Sequence, residues 1–194
     1  MYETSSGHNT ALIIDFAPMP SGIIPPAQLA TSAALGSYIT ACYAVPLLQT
    51  SGNASVLTLM PSGPISLDRV VVREDQRLGQ IVRAFTITAT LGDGSTALLT
   101  SAGSSIGNKF IQVFAPATVA SLTLNITGLA ANPATPGGPF ISDFSVYSCE
   151  AAGLAQSQAL HAAGFPQPPY VPSALRPAPA GGSAQQRSRR QRLL

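Results

Sequence analysis

Hydrophobic and polar positions follow two different periods along this chain. Residues 11–17, Ala-Leu-Ile-Ile-Asp-Phe-Ala, form a largely apolar run closed by Pro18. A run of this kind, without alternation, predicts a short strand buried on both faces, as in a parallel sheet. A turn-rich loop from Pro18 to Gly22 and the pair Pro25-Pro26 follow. Leu35, Tyr38, Ile39 and Cys42 then recur at i, i+3, i+4 and i+7. That spacing predicts a helix over 26–43, with proline suited to its first turn and Pro46 as its stop. Strand, loop and helix make half of a βαβ repeat. A parallel strand needs neighbours on both edges, and no later segment repeats the pattern. Residues 1–50 therefore read as one strand and one helix of a larger α/β domain.

From residue 53 onward the period becomes two. Phe85, Ile87, Ala89 and Leu91 alternate with Thr86, Thr88 and Thr90, and Leu122, Leu124 and Ile126 alternate with Thr123, Asn125 and Thr127. These are half-buried antiparallel strands. Further strands are predicted at Ser55–Met60, Leu67–Arg73, Thr96–Thr100, Phe110–Phe114 and Phe140–Tyr147. Turn signals separate them at Pro61–Pro64, Gly92–Gly94, Gly103–Gly107 and Pro133–Pro139. Seven short strands at spacings of about ten residues predict a mainly β fold, a jelly-roll β-sandwich over 53–149. The Pro/Ala/Arg-rich stretch 151–194 predicts a disordered tail, with some helix near Ala151–Ala163.

Composition adds limits. Of 194 residues only 9% are charged, against about 25% in ordinary globular domains. A charged disordered chain and a coiled coil are excluded. The most apolar window, Leu29–Leu48, is interrupted by Thr31, Ser32, Gly36, Ser37, Thr40 and Pro46, so it reads as a buried helix and not a membrane span. No basic-then-apolar leader opens the chain. Charge is segregated: residues 1–150 hold eight acids and five bases, and residues 151–194 hold five Arg and no acid. Arginines without interleaved aromatics read as a solvated tail, so neither a nucleic-acid nor a membrane partner is expected.

Motifs for chemistry are few. There is no nucleophile elbow, phosphate loop or Cys-x-x-Cys. His8 and His161 have no ligand-spaced partners, so no metal and no cofactor is expected. Gly103–Gly107 reads as a hairpin connection, and Asp93 as the residue of an Asp-Gly turn. Glu74 and Asp75 read as turn caps or as partners of Arg73 or Arg77. His8 reads as the maker of a local hydrogen bond.

Several motifs carry a resemblance. Gly7-His-Asn-Thr-Ala-Leu-Ile-Ile-Asp-Phe-Ala-Pro18 with Gly22-Ile-Ile-Pro-Pro26 resembles the last strand, loop and helix of the α-L-fucosidase barrel, glycoside hydrolase family 29. Leu67-Asp-Arg-Val-Val-Val-Arg-Glu-Asp75, Leu78-Gly-Gln80, Gly103-Ser-Ser-Ile-Gly-Asn-Lys-Phe-Ile111 and Phe144-Ser-Val-Tyr-Ser-Cys149 resemble that family's C-terminal, galactose-binding-like β-sandwich. Departures are Ile81 where the family usually has Arg, Ser95-Thr96 where it often has Trp, and Phe110 where Arg is common. The resemblance divides the chain into a terminal β/α unit (1–50), an accessory sandwich (53–149) and a tail (151–194).

It also implies retaining hydrolysis of terminal α-L-fucose by a carboxylate pair about 5–5.5 Å apart. Both would belong to barrel segments preceding Met1, so no catalytic residue is expected here and this chain alone is expected to be inactive. Asp15, Asp68, Glu74, Asp75, Asp93 and Asp143 are the carboxylates weighed. Asp15, at the end of the last barrel strand, reads as a pocket-wall group or, preferably, as a loop-fixing acceptor. The implied partners are a fucosylated glycan and the missing barrel segment, and the implied route is secretory. Cys42 and Cys149 then admit two readings, a disulfide between barrel and sandwich or two separate buried thiols. Asn53-Ala-Ser55 and Asn125-Ile-Thr127 are N-glycosylation acceptor triplets in line with that route. The alternative function is a free-standing carbohydrate-binding module, against which stands the absence of Trp. Substrate-binding residues are left unassigned.

Overall fold

The computed structural model describes residues 1–103, 105–131, 140–150 and 176–177. The predicted helix forms as α1, Pro26–Tyr43. Pro25 supplies the first acceptor carbonyl for Gln28 N and Leu29 N, and Pro26 opens the helix where a missing N–H costs nothing. Ala34, Tyr38 and Cys42 are its buried positions, with Leu35 and Ile39 half-buried beside them.

Eight strands form one antiparallel network: β1 Leu48–Gly52, β2 Val56–Leu59, β3 Ile65–Glu74, β4 Val82–Leu91, β5 Thr96–Gly103, β6 Phe110–Leu129, β7 Ile141–Tyr147 and the two-residue β8 Arg176–Pro177. Their order is β1-β7-β3-β6-β4-β5-β8, with β2 on β6 off this path. The long β6 belongs to two leaves. Its first half pairs with β3, from Val72 opposite Phe110 to Ile65 opposite Val119. Its second half pairs with β4 and with β2. Phe85 on β4 sits opposite Ile126, yet its ring lies 5.0 Å from that of Phe110. Sixteen residues of straight strand would separate Phe110 from Ile126 by about 50 Å. The strand therefore folds over, and the two leaves pack face to face as a β-sandwich. The bend has a local cause. Between Leu67 opposite Ala117 and Arg69 opposite Val113 the register shifts, and β6 carries there Pro116, which has no N–H for the ladder.

The core between the leaves holds Val70 and Val72 of β3, Phe85, Ile87 and Ala89 of β4, Leu122 and Leu124 of β6, and Phe144 and Val146 of β7. The β4 leaf turns Thr86, Thr88 and Thr90 outward, which is why its sequence alternates. In the β3 leaf Val71 is buried too, in a second cluster with Tyr38, Cys42, Ile111, Tyr147 and Cys149. Helix α1 covers that outer face, which accounts for the unbroken Val70-Val71-Val72.

Four sequence expectations are corrected. Residues 11–17 form no strand: Ile13 is 87% exposed and Asp15 is exposed as well. An apolar run becomes a buried strand only when neighbouring strands pair with it, and none here does. Phe110–Phe114 and Leu122–Thr127 are parts of the one strand β6. Leu48–Gly52, which alternation did not single out, is strand β1, held by β7 from Leu48 opposite Val146 to Gly52 opposite Ile141. Finally, Gly103–Gly107 is no hairpin connection. β5 pairs with β4 and β8, whereas β6 begins beside β3, so this segment carries the chain from one leaf to the other. The expected tail and the helix near Ala151–Ala163 lie outside the described residues, apart from Arg176–Pro177. No described helix is long and apolar enough to cross a membrane.

Candidate functional site

Gly7, His8 and Asn9 of the N-terminal motif meet the loop before β6 and the first residues of that strand. Gly7 lies against β6, its N–H bonded to Tyr2 O and its carbonyl accepting from Ile111 N at 2.8 Å. A Cβ at Gly7 would stand 2.2 Å from Glu3 O and 2.9 Å from the Ile111 side chain, so only glycine admits this approach. His8 makes a bridge to Phe110 and lays its ring 5.5 Å from that of Phe110. His8 also makes a local hydrogen bond, its backbone N–H donating to Ser5 O at 2.8 Å. Asn9, at φ 64°, clamps the loop before β6: Nδ2 donates to Ile106 O at 2.8 Å, and Oδ1 accepts from Lys109 N at 3.2 Å. Gly107, at φ +61°, must be glycine on two counts, since a Cβ there would also overlap the Asn9 amide.

Glu74 is buried below the same loop. Its Oε1 accepts from Ile81 N at 2.5 Å and Val82 N at 2.9 Å, and its Oε2 accepts from Gly107 N at 3.2 Å. One carboxylate therefore closes three buried backbone donors from two connections. Neither Arg73 nor Arg77 pairs with it. Arg77 instead chelates Asp75 at 2.6–3.0 Å through Nε and Nη2, and Asp75 caps the short 3-10 turn Gln76–Leu78. Asp93 holds its turn through Ser95 N and Oγ, and Asp143 pairs with Arg73 and Gln49.

A buried ionic cluster joins α1 and the N-terminal residues to β3. Arg69, 2% exposed, places Nε 3.3 Å from Glu3 Oε1 and Nη1 3.4 Å from Asp68 Oδ2, and donates to Tyr38 Oη at 3.4 Å. The hydroxyls of Tyr38 and Tyr43 both donate to Glu3 Oε1. Burial raises the Glu3 pKa, but the Tyr38 hydrogen bond and the Arg69 charge outweigh it and hold the carboxyl below its usual range. Burial, followed by the Glu3 charge, pushes both phenols well above theirs, so both remain neutral donors. Asp68 goes the other way: burial raises it despite the Cys149 N–H at 2.8 Å and the Arg69 charge. Cys42 and Cys149 are joined by a disulfide with Cα atoms 4.8 Å apart, closing a separation of 107 residues. Of the two readings open at the sequence level, the structure takes the bonded one.

One shallow depression of about 290 Å³ lies at the other end of β1 and β7, lined by Gly52, Asn53, Asp75, Phe140, Ile141 and Ser142. Asn53 is exposed at its rim, and Asn125 is exposed in mid-strand on β6. Asp15 is exposed and accepts no hydrogen bond from a described residue. His161 lies outside the described residues. Among those described, no three His, Cys, Asp or Glu side chains gather as a metal site. The Glu3–Tyr38–Arg69 cluster is not legible in the sequence, where its one signal is the charged pair Asp68-Arg69 inside an apolar strand.

No protein-family model matches the chain, and no curated protein matches it. Solved structures do. A protein assigned as an alpha-L-fucosidase from Bacteroides thetaiotaomicron VPI-5482 is 29% identical, with a TM-score of 0.68, over 76% of this chain and 32% of its own. A glycoside hydrolase 29 family member from an unknown rumen bacterium is 22% identical, with a TM-score of 0.66, over 76% of this chain and 27% of its own. A Ruminococcus gnavus GH29 fucosidase, solved with fucose, is 20% identical, with a TM-score of 0.65, over 78% of this chain and 36% of its own. The chain thus spans about a third of the length of these proteins, and it is similar to the C-terminal part of GH29 α-L-fucosidases.

Proposed function

We propose that this chain is the accessory-sandwich portion of an α-L-fucosidase that hydrolyses terminal α-L-fucose from glycans with retention, its catalytic carboxylates being supplied by preceding barrel segments. The observation that carries the reading is the correspondence of about three quarters of this chain to about a third of a fucosidase at 29% identity. Two features support it. A retaining glycosidase needs two carboxyl groups free to face a sugar, whereas six of the eight carboxylates, Glu3, Asp68, Glu74, Asp75, Asp93 and Asp143, are engaged by internal partners, the exposed Asp15 standing outside that set. In addition, seven of the eleven exposed large apolar side chains among the described residues lie between Ile13 and Leu47. A concentration of that kind marks a surface built to be covered, and the rest of a barrel is the cover that the resemblance supplies. In this reading α1 and its disulfide key the barrel to the sandwich, and the disulfide supports a secretory route.

The test is direct. Purified chain is expected to leave an aryl α-L-fucoside uncleaved, whereas a protein carrying the upstream coding sequence hydrolyses it with retention. Hydrolysis by this chain alone would overturn the assignment of the carboxylates to another segment. Saturable binding of fucosylated glycans by this chain alone, lost on Phe140→Ala, would favour the binding-module reading.

A further inference from the structure

We propose that Asn53 is the acceptor of an N-linked oligosaccharide on the folded protein. Three observations on this chain lead there. Asn53-Ala-Ser55 is an acceptor triplet, with a hydroxyl two residues after the amide and no proline between. All three residues are exposed in the bend that joins β1 to β2, outside any strand, and the Asn53 side chain makes no hydrogen bond to a described residue. The Cys42–Cys149 disulfide fits folding in an oxidising compartment, where such glycosylation takes place. Asn125-Ile-Thr127 has the same triplet but stands in mid-β6, paired with Val56 of β2 on one side and Thr86 of β4 on the other. A transferase must draw its acceptor into an extended conformation. The bend gives up one backbone bond, from Ile126 N to Ser55 O at 2.8 Å, whereas the central strand must break its pairing with two neighbours.

The donor is an oligosaccharide joined through a diphosphate to a polyprenol. Asn53 Nδ2 attacks the anomeric carbon, the C–O bond to phosphate breaks, the polyprenyl diphosphate leaves with the electron pair, and one amide proton passes to a base. The glycan would rise from the rim of the depression lined by Asp75, Phe140 and Ser142 and keep macromolecules off that end of the sandwich.

The experiment treats the purified, oxidised chain with a single-subunit oligosaccharyltransferase and a polyprenyl-diphosphate oligosaccharide. A synthetic peptide of residues 48–60 serves as control acceptor. The expected result is a mass increase of one glycan, removed by peptide N-glycosidase, absent in Asn53→Gln and in Ser55→Ala, and kept in Asn125→Gln. Circular dichroism checks that each variant is folded. An unmodified folded chain beside a modified peptide overturns the proposal. So does a mass increase that only Asn125→Gln abolishes.

Discussion

Glu74 illustrates how much of this fold hangs on single acceptors. It is buried, and three backbone N–H groups have their bonds to its carboxylate. Removing the acceptor strands each donor without water, at about 1–3 kcal/mol apiece. Glu74→Ala is therefore expected to destabilise by about 3 kcal/mol or more. Glu74→Gln, which keeps one carbonyl and turns an NH2 toward a donor, is expected to cost about 1–3 kcal/mol; urea midpoints measure both. Glu3 sets the pH dependence. Its folded pKa is depressed, so its contribution is full above the ordinary carboxylate range and is lost as pH falls through and below that range. Asp68 has the opposite sign: its pKa is raised, so its contribution is present at low pH and is lost as pH rises through the folded value. Glu3→Gln is expected to lower stability at pH 7 by about 1.5–3 kcal/mol, the scale of a hydrogen bond to a charged group, and to flatten the fall between pH 5 and pH 3, roughly the range in which such carboxylates titrate. Asp68→Asn is expected to steepen that fall. Urea titrations at several pH values distinguish the two. The charged pair Asp68-Arg69 is visible in the sequence, but not its counterpart at Glu3, because 65 residues separate them and no local period connects them.

Among the elements, α1 depends most on its tether. Its first turns are largely exposed, and it meets the sandwich through Tyr38, Cys42 and their neighbours. Closing a loop of this length removes about 4–5 kcal/mol of unfolded-state entropy in the loop-closure model. Cys42→Ala is expected to cost about 2–5 kcal/mol and, by hydrogen exchange, to release residues 26–43 while β3, β4 and β6 keep their protection. Uniform loss of protection across the sandwich would show that the helix and sheet form one cooperative unit. The elements differ in how legible they were. The helix was read to its ends because prolines bracket a clear 3.6-residue face. β4 and the second half of β6 were read because one side of their leaf faces water and alternation survives. β1 was not, since Leu48-Gln-Thr-Ser-Gly52 has one large apolar residue and is a strand only because β7 is its template. The unity of β6 was hidden by Pro116, which reads as a break in sequence and serves as a bend in the fold. The strand at 11–17 failed for the converse reason: its local signal is strong, but no described strand pairs with it. The departures from the family pattern at Ile81 and Phe110 also became intelligible only in space. Ile81 is buried, and Phe110 lies between the rings of His8 and Phe85.

For the whole molecule, burial is unequally distributed. The sandwich closes its own core and covers one outer face with α1, while Ile13 at 87%, Ile23 at 60% and Val45 at 78% exposure remain uncovered. Apolar area in water costs about 25 cal/mol per Å² relative to burial, so these side chains favour any contact that hides them. They make no contribution to the sandwich itself, and the two effects separate by mutation. Ile13→Ser, Ile23→Ser and Val45→Ser together are expected to leave the urea midpoint within about 0.5 kcal/mol per site of the parent, as surface substitutions do. The same triple variant is expected to reduce 8-anilinonaphthalene-1-sulfonate fluorescence and to shift sedimentation toward the monomer. A large loss of stability in that variant would mean that residues 11–47 pack on the sandwich in solution, and the idea of a surface awaiting a barrel would fall. Unchanged stability with lower dye binding would leave a self-sufficient sandwich carrying, on one disulfide-tied helix and an unpaired apolar segment, an exposed apolar face open to contact.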